Sequence, residues 1–379
     1  MAKLALTKNK TMETTLFPHQ YLEDFARRIF LKLGCPEADA ELAAAILVAA
    51  DLRGIDSHGI ARLGGYVRLT DLKRLNPQPD IRVVHQTPST AVVDGDAGLG
   101  LVVAPKAMQI AIEKAAQVGT GWVAIRNSNH FGIAGYHAMM ALPHDMIGLA
   151  MTHAGPLVAP TFSKDKLLGT NPIAVAIPAN EEPPFVLDMA TTTAAYGKLE
   201  ILQRKNQPVP SGWVQDANGN PATDAHAVKQ GGALLPLGGD RDHGSHKGYG
   251  LGAWVDIFSG VLSGANYGPW VPPFATAGFM NSAQQVVGAG TGHFVGAMRI
   301  DAFRPADEFK AHMDNWIRAF RQATPTAGHA QVLIPGDPER LLEAERLQTG
   351  IQLLPVVVEN LKELAARFGV AWQPGSKYA

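Results

Sequence analysis

"GDAGLGLVVAP", Gly95 to Pro105, is the stretch on which the fold turns. It stands between an apolar strand pattern and a long helical one, where a dinucleotide-binding domain would carry its phosphate turn. Its glycines, Gly95, Gly98 and Gly100, do not give the order strand, G-x-G-x-x-G, helix. The other glycine cluster, "VVGAGTGHFVGA" (Val286–Ala297), runs on into a strand pattern instead. A nicotinamide cofactor, if bound, is therefore not held by a Rossmann turn. The chain also lacks a P-loop, an H-E-x-x-H and a G-x-S-x-G motif.

Outward from this stretch the pattern is strand and helix. "IRVVHQTPSTAVVDGD" reads as two short strands and a turn, and "LVVAPKAMQIAIEKAAQVG" as a helix ending at Gly119. Strands are predicted at "GWVAIRNS", "MIGLAMTH", "PIAVAIPA", "PFVLDMA" and "GHFVGAMRI". "GIAGYHAMMAL" reads as a helix and "GYGLGAWVDIFSGVLSGA" as a Gly-rich buried helix. "GPLVAPTFSKDKLLGTN" is a loop long enough to suggest function. Toward both ends the chain turns helical. "PHQYLEDFARRIFLKLG" places Leu22, Phe25, Ile29 and Leu33 on one face, and a second helix follows Pro36. Three further helices are predicted beyond Pro305. The expected fold is α/β: residues 1–78 and 303–379 form a helical part built from both chain ends. Residues 79–302 form a mixed α/β cofactor-binding domain of non-Rossmann topology.

The 379 residues are 46% apolar and 18% charged, enough for a sizeable core. Lys and Arg number 33 against 34 Asp and Glu, a balance that argues against nucleic-acid or membrane-surface binding. The single cysteine, Cys35, excludes an intramolecular disulfide. The lysine-bearing N-terminus lacks the apolar core of a secretory signal. No run of about 18 apolar residues offers a membrane span. A cytoplasmic protein is expected.

Four clusters carry chemistry. "RGIDSHGIARL" (Arg53–Leu63) follows a plain helix with His58, whose ordinary pKa suits proton transfer near neutrality. Ser57 beside it suits a hydrogen bond to a reacting oxygen or a proton relay, and Arg62 suits a grip on a carboxylate. Capping of the next helix by Asp56 or Ser57 is the competing reading. "RNSNHFGIAGYHAMMAL" sets Asn127, Ser128, Asn129 and His130 in a strand-to-helix turn, more polar groups than one cap needs. His137, on the helix beyond, reads as structural. "FVLDMATTTAAYGKLE" ends a strand on Asp188, followed by Met189 and Ala190; an N-cap is again the alternative. In "GGDRDHGSHKGYGLG", Asp240, His243 and His246 stand at metal-ligand steps without a fourth partner. Lys247 nearby, among glycines, suits a phosphate. "IPGDPE" (Ile334–Glu339) puts Gly336 and Asp337 just ahead of a helix, as a cap or a cofactor contact.

Together, "RGIDSHGIARL", "NSNHFGIAGYHA", "GTNPIAVAIPA", "FVLDMATT", "HKGYGLGAWVDIFSGVLSGA" and "IPGDPE", in this order, resemble the malate/L-lactate/ureidoglycolate dehydrogenase family of non-Rossmann oxidoreductases. The resemblance implies a homodimer that moves a hydride between NAD or NADP and a small 2-hydroxy/2-oxo acid. It implies His58 as catalytic acid/base with Ser57 and Asp188, His130 as a second acid/base or cofactor group, and Arg62 and Thr170 at the substrate. It implies cofactor contacts at His130, Asp188, Met189, Ala190, Lys247, Gly336 and Asp337, and no metal. Malate/oxaloacetate is the expected pair; lactate, ureidoglycolate, sulfolactate, diketogulonate and piperideine-2-carboxylate are the alternatives. A metal-dependent hydrolase using Asp240, His243 and His246 is the reading from another class. "DRDHGS" and the loop "NYGPWVPPFATAGF" depart from the compact form of some members.

Overall fold

The computed structural model describes residues 15–204, 206–274 and 287–373. The chain opens with strand β1 (Thr15–Phe17) and helices α1 (His19–Lys32) and α2 (Glu37–Leu52). α1 stops where Gly34 adopts a positive φ of 97°, a conformation that costs glycine little. A 3-10 turn (Ile60–Arg62) leads into α3 (Leu63–Asp71). Then come β2 (Arg82–Gln86), β3 (Thr90–Asp94), α4 (Gly100–Val118), β4 (Thr120–Ser128) and α5 (Ala134–Met139). They are followed by β5 (Met146–Thr152), β6 (Ile173–Ile177), β7 (Phe185–Met189) and α6 (Tyr196–Arg204). Short strands β8 (Val214–Gln215), β9 (Pro221–Ala222) and β10 (Ala233–Leu234) precede α7 (Ser245–Asp256), which continues as a π turn (Ile257–Val261). The last elements are β11 (Thr291–Arg299), α8 (Ala306–Arg321), α9 (Asp337–Thr349), β12 (Ile351–Leu353) and α10 (Pro355–Phe368).

The main sheet has seven strands in the order β2-β3-β4-β11-β5-β6-β7. β3 and β4 pair parallel across the α4 crossover; every other pairing in it is antiparallel. A doubly wound dinucleotide fold is built on a parallel sheet, so the non-Rossmann expectation agrees with this mixed α/β architecture. α4 and α5 cover one face through small side chains such as Ala107, Ala111 and Ala138. Val255 and Phe258 of α7 and its π turn pack on the other, against Trp122 and Phe294.

The helical layer unites the two chain ends. β1 pairs antiparallel with β12, Phe17 opposite Ile351. Trp372 lies edge-on to Phe25 and Tyr21 at ring distances of 5.0 and 5.5 Å. This strand pair was not expected from the sequence. Neither was the β10-β8-β9 sheet, which with Leu199, Val209 and Val228 forms a small core of its own beside α6.

Two expectations need correction. The helix at "GYGLGAWVDIFSGVLSGA" is not buried all round, since Trp254, Ile257, Val261 and Leu262 are among its exposed apolar side chains. Glycines on one side dock it, as at Gly248 against the Leu237 backbone, and this leaves the large residues on the other side. The helix at "GIAGYHAMMAL" is only six residues long. Residues 275–279 of the loop "NYGPWVPPFATAGF" lie outside the described residues.

Candidate active site

The segment Arg53–Leu63 is shaped by an acid that precedes it. Asp51, buried at the end of α2, accepts the Ile60 N–H at 2.6 Å and so folds the chain back on the helix. Gly59 makes the approach possible, because a Cβ there would lie 2.0 Å from Asp51 Oδ1. Burial pushes the Asp51 carboxyl well above its ordinary range. From the other side α9 pins the segment: Arg53 pairs with Glu343 at 2.8 Å, and Arg346 reaches the Asp56 carboxylate and the Asp51 carbonyl. Asp56 and Ser57 do not cap a helix here. Asp56 tethers the loop to α9, while Ser57 Oγ lies 2.9 Å from His58 Nδ1. Arg62 donates from Nε to the Ser57 carbonyl and stands 3.9 Å from Glu200 of α6.

The turn at "NSNH" is built differently from its appearance in the sequence. Asn127 bonds Asp94 at 2.9 Å, Ser128 Oγ bonds His293 Nε2 at 2.9 Å, and Asn129 donates to the Ala97 carbonyl at 2.8 Å. Three of the four polar groups thus hold the frame. The glycines of "GDAGLG" belong to that frame: a Cβ on Gly100 would lie 2.1 Å from the Asn129 carbonyl oxygen. The fourth polar group, His130, has its Nδ1 2.7 Å from the Tyr66 hydroxyl. His137, fully buried, bonds the Phe131 carbonyl at 2.9 Å.

At the end of β7, Asp188 Oδ2 accepts the Gly135 N–H of α5 at 2.8 Å; its hydrogen bond goes there and not to an imidazole. Burial pushes this carboxyl up to about 6, against the pull of that N–H and of Arg53. Thr170 presents its carbonyl to Thr191 Oγ1 at 3.2 Å, which ties the β5–β6 loop to the strand end.

These pieces meet on one cavity of about 420 Å³, lined by Ser57, His58, Arg62, His130, Thr170, Asp188, Met189 and Ala190 among others. The profile of the family described as malate/L-lactate dehydrogenase matches residues 17–362. The malate dehydrogenase of Pyrococcus horikoshii is 44% identical over 93% of this chain and 95% of its own. The chain belongs to the malate/L-lactate dehydrogenase family. The L-sulfolactate dehydrogenase of Methanocaldococcus jannaschii is 39% identical over 90% of this chain and 94% of its own. The solved malate dehydrogenase of Pyrococcus horikoshii OT3 superposes with a TM-score of 0.86 at 40% identity, over 98% of this chain and 99% of that one.

As a malate/L-lactate dehydrogenase family member, the chain is an oxidoreductase that acts on hydroxy acids with a nicotinamide cofactor. The cavity fits that pair. Its volume falls in the ~300–1,000 Å³ range of ligand sites, and Ile55, Ile133, Leu157, Met189 and Phe274 give it apolar walls beside the polar groups. Inside it the imidazoles are held neutral. Burial and the Arg62 charge push His58 down to about 4, and burial, His58 and Arg62 depress His130 well below its usual value.

Three residues singled out in the sequence do not line the cavity. Lys247 is exposed on the first turn of α7. Gly336 packs on Val186, and Asp337 is engaged by Arg321, Arg340 and the Ile334 N–H. From the same helix it is Glu339 that reaches the cavity wall. The hydrolase reading falls with family membership, and its ligand set is differently employed. Asp240 pairs with His243 at 2.7 Å, while His246 faces the Arg241 guanidinium. Among the described residues no group of His, Cys, Asp and Glu is placed to hold a metal. Sequence reading missed Lys166, Tyr196 and Phe274, which also line the site. Phe274 lies 4.6 Å from the His130 ring, and its Pro-Pro-Phe setting was the available signal.

Proposed function

We propose that this dehydrogenase interconverts malate and oxaloacetate with NAD or NADP, His58 carrying the proton. The observation that supports it best is the seating of His58, Ser57, Arg62 and His130 on one partly apolar cavity, in a chain similar to malate dehydrogenases over most of its length. Hydride chemistry is what the nicotinamide supplies when bound. The protein's own task is to orient the acid and to manage one proton.

His58 is neutral at pH 7 and so in oxidation accepts the hydroxyl proton; in reduction its protonated form returns that proton to the carbonyl oxygen. Ser57 fixes the imidazole from Nδ1, leaving Nε2 for the substrate. Arg62, backed by the Ser57 carbonyl, holds the carboxylate. His130, placed by Tyr66, flanks the reacting carbon. Asp188, Met189 and Ala190 offer the end of β7 to the cofactor, Thr170 completes the substrate wall, and Lys247, Gly336 and Asp337 serve the outer part of the cofactor. A homodimer covers the exposed Trp254, Ile257, Val261 and Leu262 face. Light scattering of the purified protein tests that assembly.

The deciding assay follows the near-ultraviolet absorbance of NADH and of NADPH with oxaloacetate, pyruvate and sulfopyruvate. Oxaloacetate reduction with either cofactor is expected. Absence of oxaloacetate turnover with both cofactors would remove the proposal, and turnover on pyruvate or sulfopyruvate alone would move the substrate within the family.

A further inference from the structure

Resting on that reading, we infer that Lys166 is a second anion contact of the substrate site and selects acids that carry two negative groups. Lys166 belongs to the β5–β6 loop, which folds on itself where Val158 bridges Leu168. Gln215 secures the loop through the Ser163 carbonyl at 2.9 Å. Lys164 and Asp165 are exposed and so is Leu167, yet Lys166 turns inward and lines the cavity. Burial of apolar surface alone would produce the opposite choice, Leu in and Lys out.

Once inside, the ammonium is poorly served. Its hydrogen bond among the described residues is one to the Val228 carbonyl, at the outer limit of 3.5 Å. Burial lowers its pKa, as expected of a cation with no anion beside it. The other cation of the cavity, Arg62, already has the Ser57 carbonyl and Glu200. Of the cavity's acids, Asp188 is bonded to Gly135, and no ion pair joins Asp188 or Glu339 to Lys166 among the described residues. A monocarboxylate held by Arg62 leaves the half-buried Lys166 with the Val228 carbonyl alone among the described residues. An acid with a carboxylate on C1 and a second anionic group beyond C2 engages both. Lys166 sits four residues before Thr170, and both line the cavity that Arg62 lines.

The test is steady-state kinetics of the wild type, Lys166→Met and Lys166→Arg with oxaloacetate and pyruvate, plus NADH and NADPH affinity by fluorescence. Loss of one charge-assisted contact is expected to cut kcat/KM for oxaloacetate by ~10- to 100-fold more than that for pyruvate. Lys166→Arg is expected to keep most of the preference. Equal losses on both acids, or a matching loss of cofactor affinity, would overturn the inference and leave the dehydrogenase assignment standing. A wild type that reduces both acids equally would do the same. A wild type inactive on oxaloacetate would bring down the malate reading and this inference together. If Lys166→Met unfolds earlier on heating, Lys166→Gln repeats the comparison.

Discussion

The imidazoles of His58 and His130 stack with centroids 5.4 Å apart and planes 23° from parallel. They come from a loop of the helical layer and from a turn of the sheet, and each ring has its own hydroxyl partner, Ser57 and Tyr66. Two cationic rings at that distance repel, so their proximity favours one proton between them at most. His58→Ala is expected to lower turnover by ~10²–10⁴-fold with near-normal cofactor binding. The acid limb of kcat/KM for hydroxy-acid oxidation belongs near pH 4 and not near 6.5, because His58 must lose its proton to act as base. An acid limb unchanged in His58→Ala would take the base assignment away.

Arg62→Ala separates two effects of one charge. Removing the guanidinium should raise KM for the 2-oxo acid by roughly 10-fold or more. It should also let the His58 pKa rise, since Arg62 is one of the two groups of causes that depress it. The pH profile and KM are read in the same experiment. No change in either would exclude Arg62 from the site.

Stability should fall on acidification. His58 and His137 titrate near 4 in the folded protein, against 6.5 when exposed, and His130 and His293 are shifted the same way by burial. Between pH 6.5 and about 4 the unfolded chain binds more protons, so folding weakens as pH drops through that window. Asp188 runs the other way: raised from 3.8 to about 6, it removes stability as pH rises through that interval. Asp51, raised well above its ordinary range by burial, acts in the same sense as Asp188, and the four imidazoles outweigh these two carboxyls. The urea midpoint is expected to be lower at pH 5 than at pH 7.5, and equal midpoints would contradict the buried neutral histidines.

Asp188→Asn tests the carboxyl directly. The amide still accepts the Gly135 N–H and no longer has to ionise in a desolvated place. Above pH 6 the variant should be more stable than the wild type by on the order of 1–2 kcal/mol, with the advantage fading toward pH 4. Its activity should fall, because this is a place where strand end and cofactor meet in the proposed site.

Gly336→Ala should destabilise the protein by roughly 1–3 kcal/mol. The residue has a φ of 97°, and a Cβ would sit 3.0 Å from the Val186 side chain. Thermal unfolding measures the loss. Because Val186 is two residues from Asp188, KM for the cofactor is expected to rise with it.

Much of this was visible in the residues themselves. The stripe of Leu22, Phe25 and Ile29 announces α1, and the apolar runs ending at Ser128 and Asp188 announce strands whose ends carry the site. What stayed hidden depends on partners far along the chain. Thr15–Phe17 has no pattern of its own and becomes a strand only against Ile351–Leu353. Asn127, Ser128 and Asn129 look like site groups because polarity shows in sequence while the carbonyls and acids they bond do not. Asp56 acquires its purpose from Arg346, and Lys166 reads as an ordinary surface lysine until its loop is folded.

The union of β1 with β12, and of α2 with α9, ties the candidate site to contacts between residues far apart along the chain. The loop that bears His58 is made well before the side chains that clamp it, Glu343 and Arg346. Until then the apolar faces of α1 and α2 lack Ile351, Leu361 and Val370 to close over them. A chain cut before α9 is therefore expected to hold His58 and His130 without the clamp on the His58 loop and with an open apolar face on the helical layer.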